Sequence, residues 1–302
     1  MTDKNIYPYY PKGFERRYTL LKHFIKKLMP YFIRRKNIQK LYYLYTGKDL
    51  NWNNLKTYTE KMQWDKLYNV YEKKSECTDK IKVRDYVGEK IGEKYLIPIY
   101  GTWDSFNEID FSRLPNQFVL KLNTGSGCNF IIRDKATLDL KKVKEIFKYY
   151  YSLNFAYQGY EMHYKKIKPR IIAEQLLEPE KMDIQDYKFM CFDGEPIFCW
   201  VDMDRHSGHK RNIYSLEWKL LDMKFGYPNS DEKVEKPEKF DEMIEVVKKL
   251  CHDFNHVRVD LYYADGRIYF GELTFTNMSG FTKIEPYEID RKLGDLWELN
   301  IK

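Results

Sequence analysis

The chain has 302 residues, 43% of them hydrophobic and 17% aromatic, with 27 Tyr and a net charge of +7. That is enough apolar material for a globular protein of two or three lobes, with aromatics to spare for large cores or stacking surfaces. No apolar run approaches the roughly 18 residues of a membrane span. The amino terminus lacks the charged, apolar, small-residue order of a secretory signal, and the five cysteines form no Cys-x-x-Cys pair. A reduced cytoplasmic protein without disulfides or structural zinc is expected.

Residues 12–40 hold ten cations against the single acid Glu15. Between them Leu20, Leu21, Phe24, Ile25, Leu28, Tyr31 and Phe32 recur at helical spacing, and Pro30 should break or kink the segment. Such a basic amphipathic stretch suits peripheral contact with an anionic membrane at its inner face, or a solvated helix packed on the body. Nucleic acid is disfavoured, since no recognised nucleic-acid module accompanies the charge. Residues 52–71 then read as a helix and 72–76 as a polar link. Thr78 or Asp79 is a good N-cap for a helix through Val83, Tyr86 and Val87 that closes before Gly92. A short strand is expected at 96–100.

Residues 117–133 are more informative. A buried strand (Phe118, Val119, Leu120) delivers Lys121 and then Thr124, Gly125, Ser126 and Gly127, before a second strand at 130–132. Small residues let backbone N–H groups close around phosphate oxygens, and a strand-mounted lysine adds a fixed positive charge. The spacing is not that of a P-loop, and by itself a strand–glycine loop–strand is an ordinary hairpin. A basic, aromatic helix follows at 138–153 and a strand at 170–174. Strands at 186–192 and 196–202 are joined by an Asp193-Gly194 turn. Lys188 alternates with Tyr187 and Phe189, so it faces either solvent or a cleft. Residues 203–238 read as a polar loop. Its Arg205, His206, His209, Lys210 and Arg211 form a solvated surface or a lid over anionic substrates. The two histidines have no third metal ligand nearby.

An amphipathic helix at 240–254 leads into a hairpin whose two β-rich runs flank Ala264-Asp265-Gly266. Asp260 lies on its first strand and Glu272 on its second. Two carboxylates on rigid strands can serve Mg²⁺, which takes hard oxygen ligands and shares them with substrate phosphates. Register decides whether they can act together. A three-residue loop sets Arg258 opposite Glu272 and puts Asp260 and Thr274 on the same face. A two-residue Asp-Gly turn sends Glu272 to the other side. The longer loop or a compensating bulge is therefore expected.

Taken in order, Asp79-Lys80, Lys121 with residues 124–127, Ile171-Ile172-Ala173-Glu174-Gln175-Leu176-Leu177, Asp186-Tyr187-Lys188, Arg258-Val259-Asp260 and Gly271-Glu272-Leu273-Thr274 resemble the ATP-grasp fold. In particular they are similar to the TupA-like ATP-grasp family linked to bacterial cell-surface polysaccharide synthesis, over most of the chain from about Tyr45. The resemblance implies an α+β fold with two α+β lobes clasping ATP. A basic helical region would cover 1–75, an N-terminal lobe with the glycine-rich phosphate loop 76–173, and a C-terminal lobe with the adenine hinge and Mg-binding hairpin 174–302.

It further implies that Lys80 and Lys121 hold phosphates and that Thr124, Gly125, Ser126 and Gly127 close over them. Glu174 would accept from the adenine amino group, with Gln175, Leu176 and Leu177 along the ring edge. Asp186, or else Glu178, would hold the ribose. Lys188 would contact a phosphate or acyl phosphate, Arg258 the transferring phosphoryl group, and Asp260 and Glu272 would carry Mg²⁺. The chain departs from the Glu-x-Asn of many such ligases at Thr274, leaving that hydroxyl, or Asn277 further on, as the third ligand. The implied activity is a carboxylate–amine ligation through an acylphosphate, joining an amino acid or amine to a carboxylate-bearing sugar or polysaccharide precursor. Two other readings stand beside it. One is a nucleotide-sugar glycosyltransferase using Asp202-Met203-Asp204, whose spacing can hold a divalent metal. The other is a non-catalytic nucleotide-binding protein.

Overall fold

The computed structural model describes residues 5–177, 184–203 and 208–299. It begins with two helices, α1 (Gly13–Leu28) and α2 (Tyr31–Thr46), parted at Met29 and Pro30. Proline has no N–H for a helix interior and its ring clashes with the preceding turn, so the break falls where the sequence predicts it. α2 ends on Gly47 at φ 71°, a left-handed cap that suits glycine. It buries Ile38 and Tyr42 against Leu50, Leu67, Tyr157 and Tyr160.

Helix α3 (Tyr58–Tyr68) is shorter than the expected 52–71. Thr57 and Glu60 close a reciprocal capping box that fixes its start. The expected polar link is instead a short helix, α4 (Glu72–Thr78). The Asp79 carboxylate accepts from the Ile81 N–H at 2.8 Å and leads into α5 (Val83–Ile91), which stops at Gly92.

The smaller lobe contains β1 (Ile99–Trp103), β2 (Phe118–Leu122), β3 (Asn129–Ile132), α6 (Leu140–Tyr151), α7 (Ala156–Gly159) and β4 (Ile171–Glu174). Its strands form an antiparallel sheet in the order β1-β4-β2-β3. Strand β1 starts three residues later than the sequence suggests. Alternation along β2 turns Phe118, Leu120 and Leu122 onto Val143, Ile146 and Phe147 of α6, leaving Lys121 on the opposite face.

The larger lobe runs through β5 (Gln185–Phe192), β6 (Glu195–Met203), β7 (Lys210–Tyr214), β8 (Lys224–Phe225), α8 (Phe240–Cys251), β9 (His256–Ala264), β10 (Arg267–Thr274), β11 (Ile284–Glu285) and α9 (Tyr287–Asp295). Five of these strands form a sheet in the order β10-β9-β5-β6-β7, and β11 pairs with β8. β7 lies where a loop is expected. Its buried Asn212 donates to the carbonyls of Ser230 and Glu232, partners too distant in sequence for a local pattern to show.

The two faces of the large sheet differ. Tyr187, Phe189, Val257, Val259, Leu261 and Leu273 pack with α5 and α8. The alternate residues Asp186, Lys188, Arg258 and Asp260 therefore point to the other face, where Met190 and Trp200 meet Tyr58 and Met62 of α3 and Leu293 of α9. Among the described residues no helix is long and apolar enough to cross a membrane.

Candidate active site

The site starts from the β9–β10 hairpin. Asp265 and Gly266, at φ 49° and 71°, make a two-residue turn that pairs Ala264 with Arg267. Continued without interruption, this register would turn Glu272 away from Asp260. The ladder instead slips at Gly271, so that Glu272 lies opposite Asp260 and Thr274 opposite Arg258. Of the two devices the sequence allows, the chain uses the bulge, and the Arg258–Glu272 opposition of a longer loop does not form. Gly271 fits because a Cβ there would stand 3.0 Å from the Asp260 carbonyl oxygen and 3.2 Å from the Tyr262 ring.

Arg258 is the hub. Its Nε and Nη2 donate to the two Asp260 carboxylate oxygens at 2.6 and 2.7 Å. Nη2 also donates to Glu272 Oε1 at 2.8 Å and to the Thr274 hydroxyl at 2.9 Å, and Nη1 to Asn277 Oδ1 at 2.5 Å. The Thr274 hydroxyl in turn donates to Glu272 Oε1 at 2.6 Å. Burial alone would push the Glu272 carboxyl up, but Lys80 and Arg258 override it and hold it at about 2. Burial likewise pushes Asp260 up, against the pull of Arg258 and Lys188. Arg258 is held above its ordinary value, because Asp260 and Glu272 outweigh its own burial.

Strand β5 lies beside β9 with Lys188 opposite Asp260. Lys188 is buried and faces this cluster, not solvent. Its ammonium contacts the Asp186 carboxylate closely and Asp260 Oδ2 at 3.1 Å.

From the smaller lobe, Lys121 on β2 pairs with Glu174 on β4 at 2.5 Å. Lys80 donates to the Gly125 carbonyl at 2.7 Å and lies 4.0 Å from Glu272 Oε2, linking the glycine loop to the β10 carboxylate. Burial pushes the Lys80 ammonium down, and Glu272 pulls it back. Gly125 sits at φ 71°, and a Cβ there would fall 2.3 Å from the Phe155 ring. Both conformation and space call for glycine. One cleft is lined by Lys80, Lys121, Glu174 and Glu272 together with the apolar Ile97 and Leu273. The Gln175 N–H is held by the Pro98 carbonyl at 2.9 Å, and Leu177 packs towards Ile97 and Tyr269.

A family model described as TupA-like ATPgrasp matches residues 60–298. The chain belongs to the TupA-like ATP-grasp family. Its α+β architecture, with two antiparallel sheets facing a cleft, is that of the ATP-grasp fold. Similar solved structures include the D-alanine–D-alanine ligase of Bacillus anthracis complexed with ATP, at 15% identity and a TM-score of 0.41, covering 66% of this chain and 55% of that one. The D-alanine–D-alanine ligase of Helicobacter pylori matches at 12% identity and 0.41, covering 74% and 61%. The N5-carboxyaminoimidazole synthase of Aspergillus clavatus matches at 14% identity and 0.38, covering 66% and 44%. The chain thus spans less than two thirds of the length of these proteins. No curated protein matches it.

In this TupA-like ATP-grasp chain the donor set fits Mg²⁺: Asp260, Glu272 and the Thr274 hydroxyl supply hard oxygens on two adjacent strands. Among the described residues no group of three or more His, Cys, Asp or Glu is assembled. Further ligands would come from phosphate oxygens and water, as is usual for this ion.

Two residues that the sequence offers for other roles, Asp202 and Arg211, engage each other instead. Asp202 does not stand open to a metal; its side chain is 3% exposed and takes the Arg211 Nε at 2.6 Å. Arg211 is therefore part of the sheet and not of a lid. Asp204, Arg205, His206 and Glu178 lie outside the described residues.

The sequence reading missed the apolar walls Ile97 and Leu273. It also missed a support beneath residues 276–280. There the Glu161 carboxylate accepts from the Ser279 hydroxyl at 2.6 Å and from the Thr276 hydroxyl, while Lys66 donates to the Ser279 carbonyl at 2.6 Å. Met278 and Ser279 adopt φ 47° and 54° in that segment.

Proposed function

We propose that this TupA-like ATP-grasp protein is an ATP-dependent carboxylate–amine ligase working through an acylphosphate. The observation that carries the reading is the convergence of Arg258, Asp260, Glu272, Thr274 and Lys188 on one sheet face beside Lys80 and Lys121. Phosphoryl transfer asks a protein for positioning and charge neutralisation more than for covalent chemistry, and this set offers both.

Lys80 and Lys121 hold the nucleotide phosphates, and residues 124–127 close over them with backbone N–H groups. Glu174 accepts from the adenine amino group, Gln175, Leu176 and Leu177 follow the ring edge, and Asp186 takes the ribose. Asp260, Glu272 and Thr274 hold Mg²⁺, which supplies Lewis-acid neutralisation of phosphate charge when bound. Arg258 and Lys188 orient the acceptor carboxylate and neutralise the phosphoryl oxygens as the carboxylate attacks the γ-phosphorus. ADP leaves, and an amine then displaces phosphate from the acyl carbon to form the amide.

The family's link to cell-surface polysaccharides supports a sugar or polysaccharide-precursor carboxylate with an amine or amino acid as the pair to be joined. A consumer of ATP of this kind works in the cytoplasm. The engagement of Asp202 by Arg211 supports the ligase reading over a glycosyltransferase.

The decisive experiment screens carboxylate and amine pairs for magnesium-dependent ADP release, then repeats the productive pair with a carboxylate labelled with heavy oxygen. Transfer of one label into the released phosphate is expected. ADP release with no label in phosphate would remove the acylphosphate, and no turnover with any pair would favour a nucleotide-binding role.

A further inference from the structure

Helix α1 rests on the body through its polar side. None of its residues is buried, and the half-buried ones are Arg16, Thr19, Leu20, His23 and Lys26. His23 Nε2 accepts from the Asn154 N–H at 3.0 Å, Lys26 donates to the Gln158 carbonyl at 2.8 Å, and the Arg16 guanidinium lies 5.9 Å from the Tyr149 ring centre.

The opposite side carries Phe14, Leu21, Phe24, Ile25 and Leu28 at helical spacing, from 47% to 83% exposed. An amphipathic helix on a globular protein ordinarily buries its apolar stripe. This one shows it to solvent. Past the break at Pro30, Phe32 is 63% exposed and shares an open groove with Arg35 and Lys36.

Charge decides what covers this surface. Residues 12–40 carry ten cations and one acid, a net +9, whereas the whole chain is +7, so the remainder is −2. Arg17, Lys22, Lys27 and Lys36 are all exposed around the apolar stripe. Two copies packed on this face would bring like charges together, whereas an anionic bilayer offers opposite charge and an apolar layer at once.

We propose that α1 and the start of α2 form a docking surface for an anionic lipid bilayer, with the apolar stripe in the acyl boundary and the cations at the headgroups. The proposal is independent of the ligase reading. Docking would hold the cleft close to a bilayer without a spanning segment.

The test is flotation of the full chain with vesicles of phosphatidylcholine alone and of phosphatidylcholine and phosphatidylglycerol in equal parts. Salt-sensitive binding to the anionic vesicles only is expected, since screening weakens exposed charge. Phe24→Glu with Leu28→Glu should weaken it about tenfold or more, and Lys22→Glu with Lys27→Glu by a similar factor. Both pairs are exposed, so melting temperatures should stay at the wild-type value. Absence of binding, or equal binding to neutral vesicles, would overturn the proposal. So would a concentration-dependent dimer that the Phe24 and Leu28 changes dissolve in a protein that ignores vesicles.

Discussion

Glu272 lies directly across the β9–β10 ladder from Asp260, and the bulge at Gly271 puts it there. Without that one-residue slip the hairpin's tight turn would leave the two carboxylates on opposite faces of the sheet. The same slip sets Thr274 beside Arg258, so a single glycine assembles the whole oxygen-donor set.

Gly271→Ala should therefore damage both stability and the site. The added methyl meets backbone, the Asp260 carbonyl at 3.0 Å, which cannot swing aside. Overpacking of this kind costs about 1–3 kcal/mol. A lowered urea midpoint together with a weakened response to Mg-ATP is expected. An unchanged magnesium response would show that the bulge does not set the metal ligands.

Thr274→Ala removes the hydroxyl that joins Arg258 to Glu272. A hydrogen bond to charged groups is worth roughly 1.5–3 kcal/mol, so the magnesium concentration needed for half-maximal ATP turnover should rise by about tenfold or more. Thr274→Asn, which restores an oxygen donor, should stay near wild type. Equal magnesium titrations for the alanine variant and wild type would remove Thr274 from the ligand set.

Acid stability should depend on Asp202. Burial pushes its carboxyl up, but the Arg211 guanidinium more than offsets this and holds it at about 2. The unfolded carboxyl, near 3.9, binds protons more tightly than the folded one, so the contribution is complete above about pH 4 and is lost as pH falls towards about 2. It amounts to roughly 2 kcal/mol. Asp202→Asn should flatten this limb in denaturation measured across that range. It should also cost about 3–5 kcal/mol at neutral pH, because a buried Arg211 is left without its charge partner. Mg-ATP affinity should not change, since Asp202 does not line the cleft.

Glu161→Gln tests the support beneath residues 276–280. A carboxylate accepts from both the Thr276 and Ser279 hydroxyls, whereas an amide has only one accepting oxygen. The segment leads from the Thr274 strand through Asn277, which holds Arg258. Its loosening should lower kcat/KM for the carboxylate and amine by about tenfold, equivalent to roughly 1.4 kcal/mol, while the Mg-ATP thermal shift stays intact. Loss of the nucleotide response in this variant would mean that the segment serves ATP binding instead.

Much of the site was legible because strands carry it. Lys121, Lys188, Arg258 and Asp260 stand on runs whose apolar neighbours announce a buried face, and period-two alternation sets each on the opposite side, although for Lys188 the strand alone does not say whether that side is solvent or cleft. The break at Pro30 and the turn at Asp265-Gly266 follow from backbone restrictions of single residues.

What stayed hidden depended on distant partners. Residues 210–214 look like loop because Arg211 and Asn212 are polar, yet both are buried and satisfied by Asp202 and by carbonyls near 230. Asp202 has the spacing of a metal ligand in the sequence, but its carboxylate is engaged by Arg211 nine residues on. The late start of α3 is legible in the sequence, since Thr57-x-x-Glu60 is a capping-box signature.

The most direct test is thermal unfolding with and without Mg-ATP, on wild type and on Glu272→Gln. A ligand at about 100 times its dissociation constant stabilises the native state by roughly 2.7 kcal/mol. Wild type should show a shift of that order that requires magnesium, and Glu272→Gln should lose most of it while melting as a cooperative fold. A magnesium-independent shift of equal size in both proteins, or no shift in wild type, would contradict the assignment of this cleft to Mg-ATP.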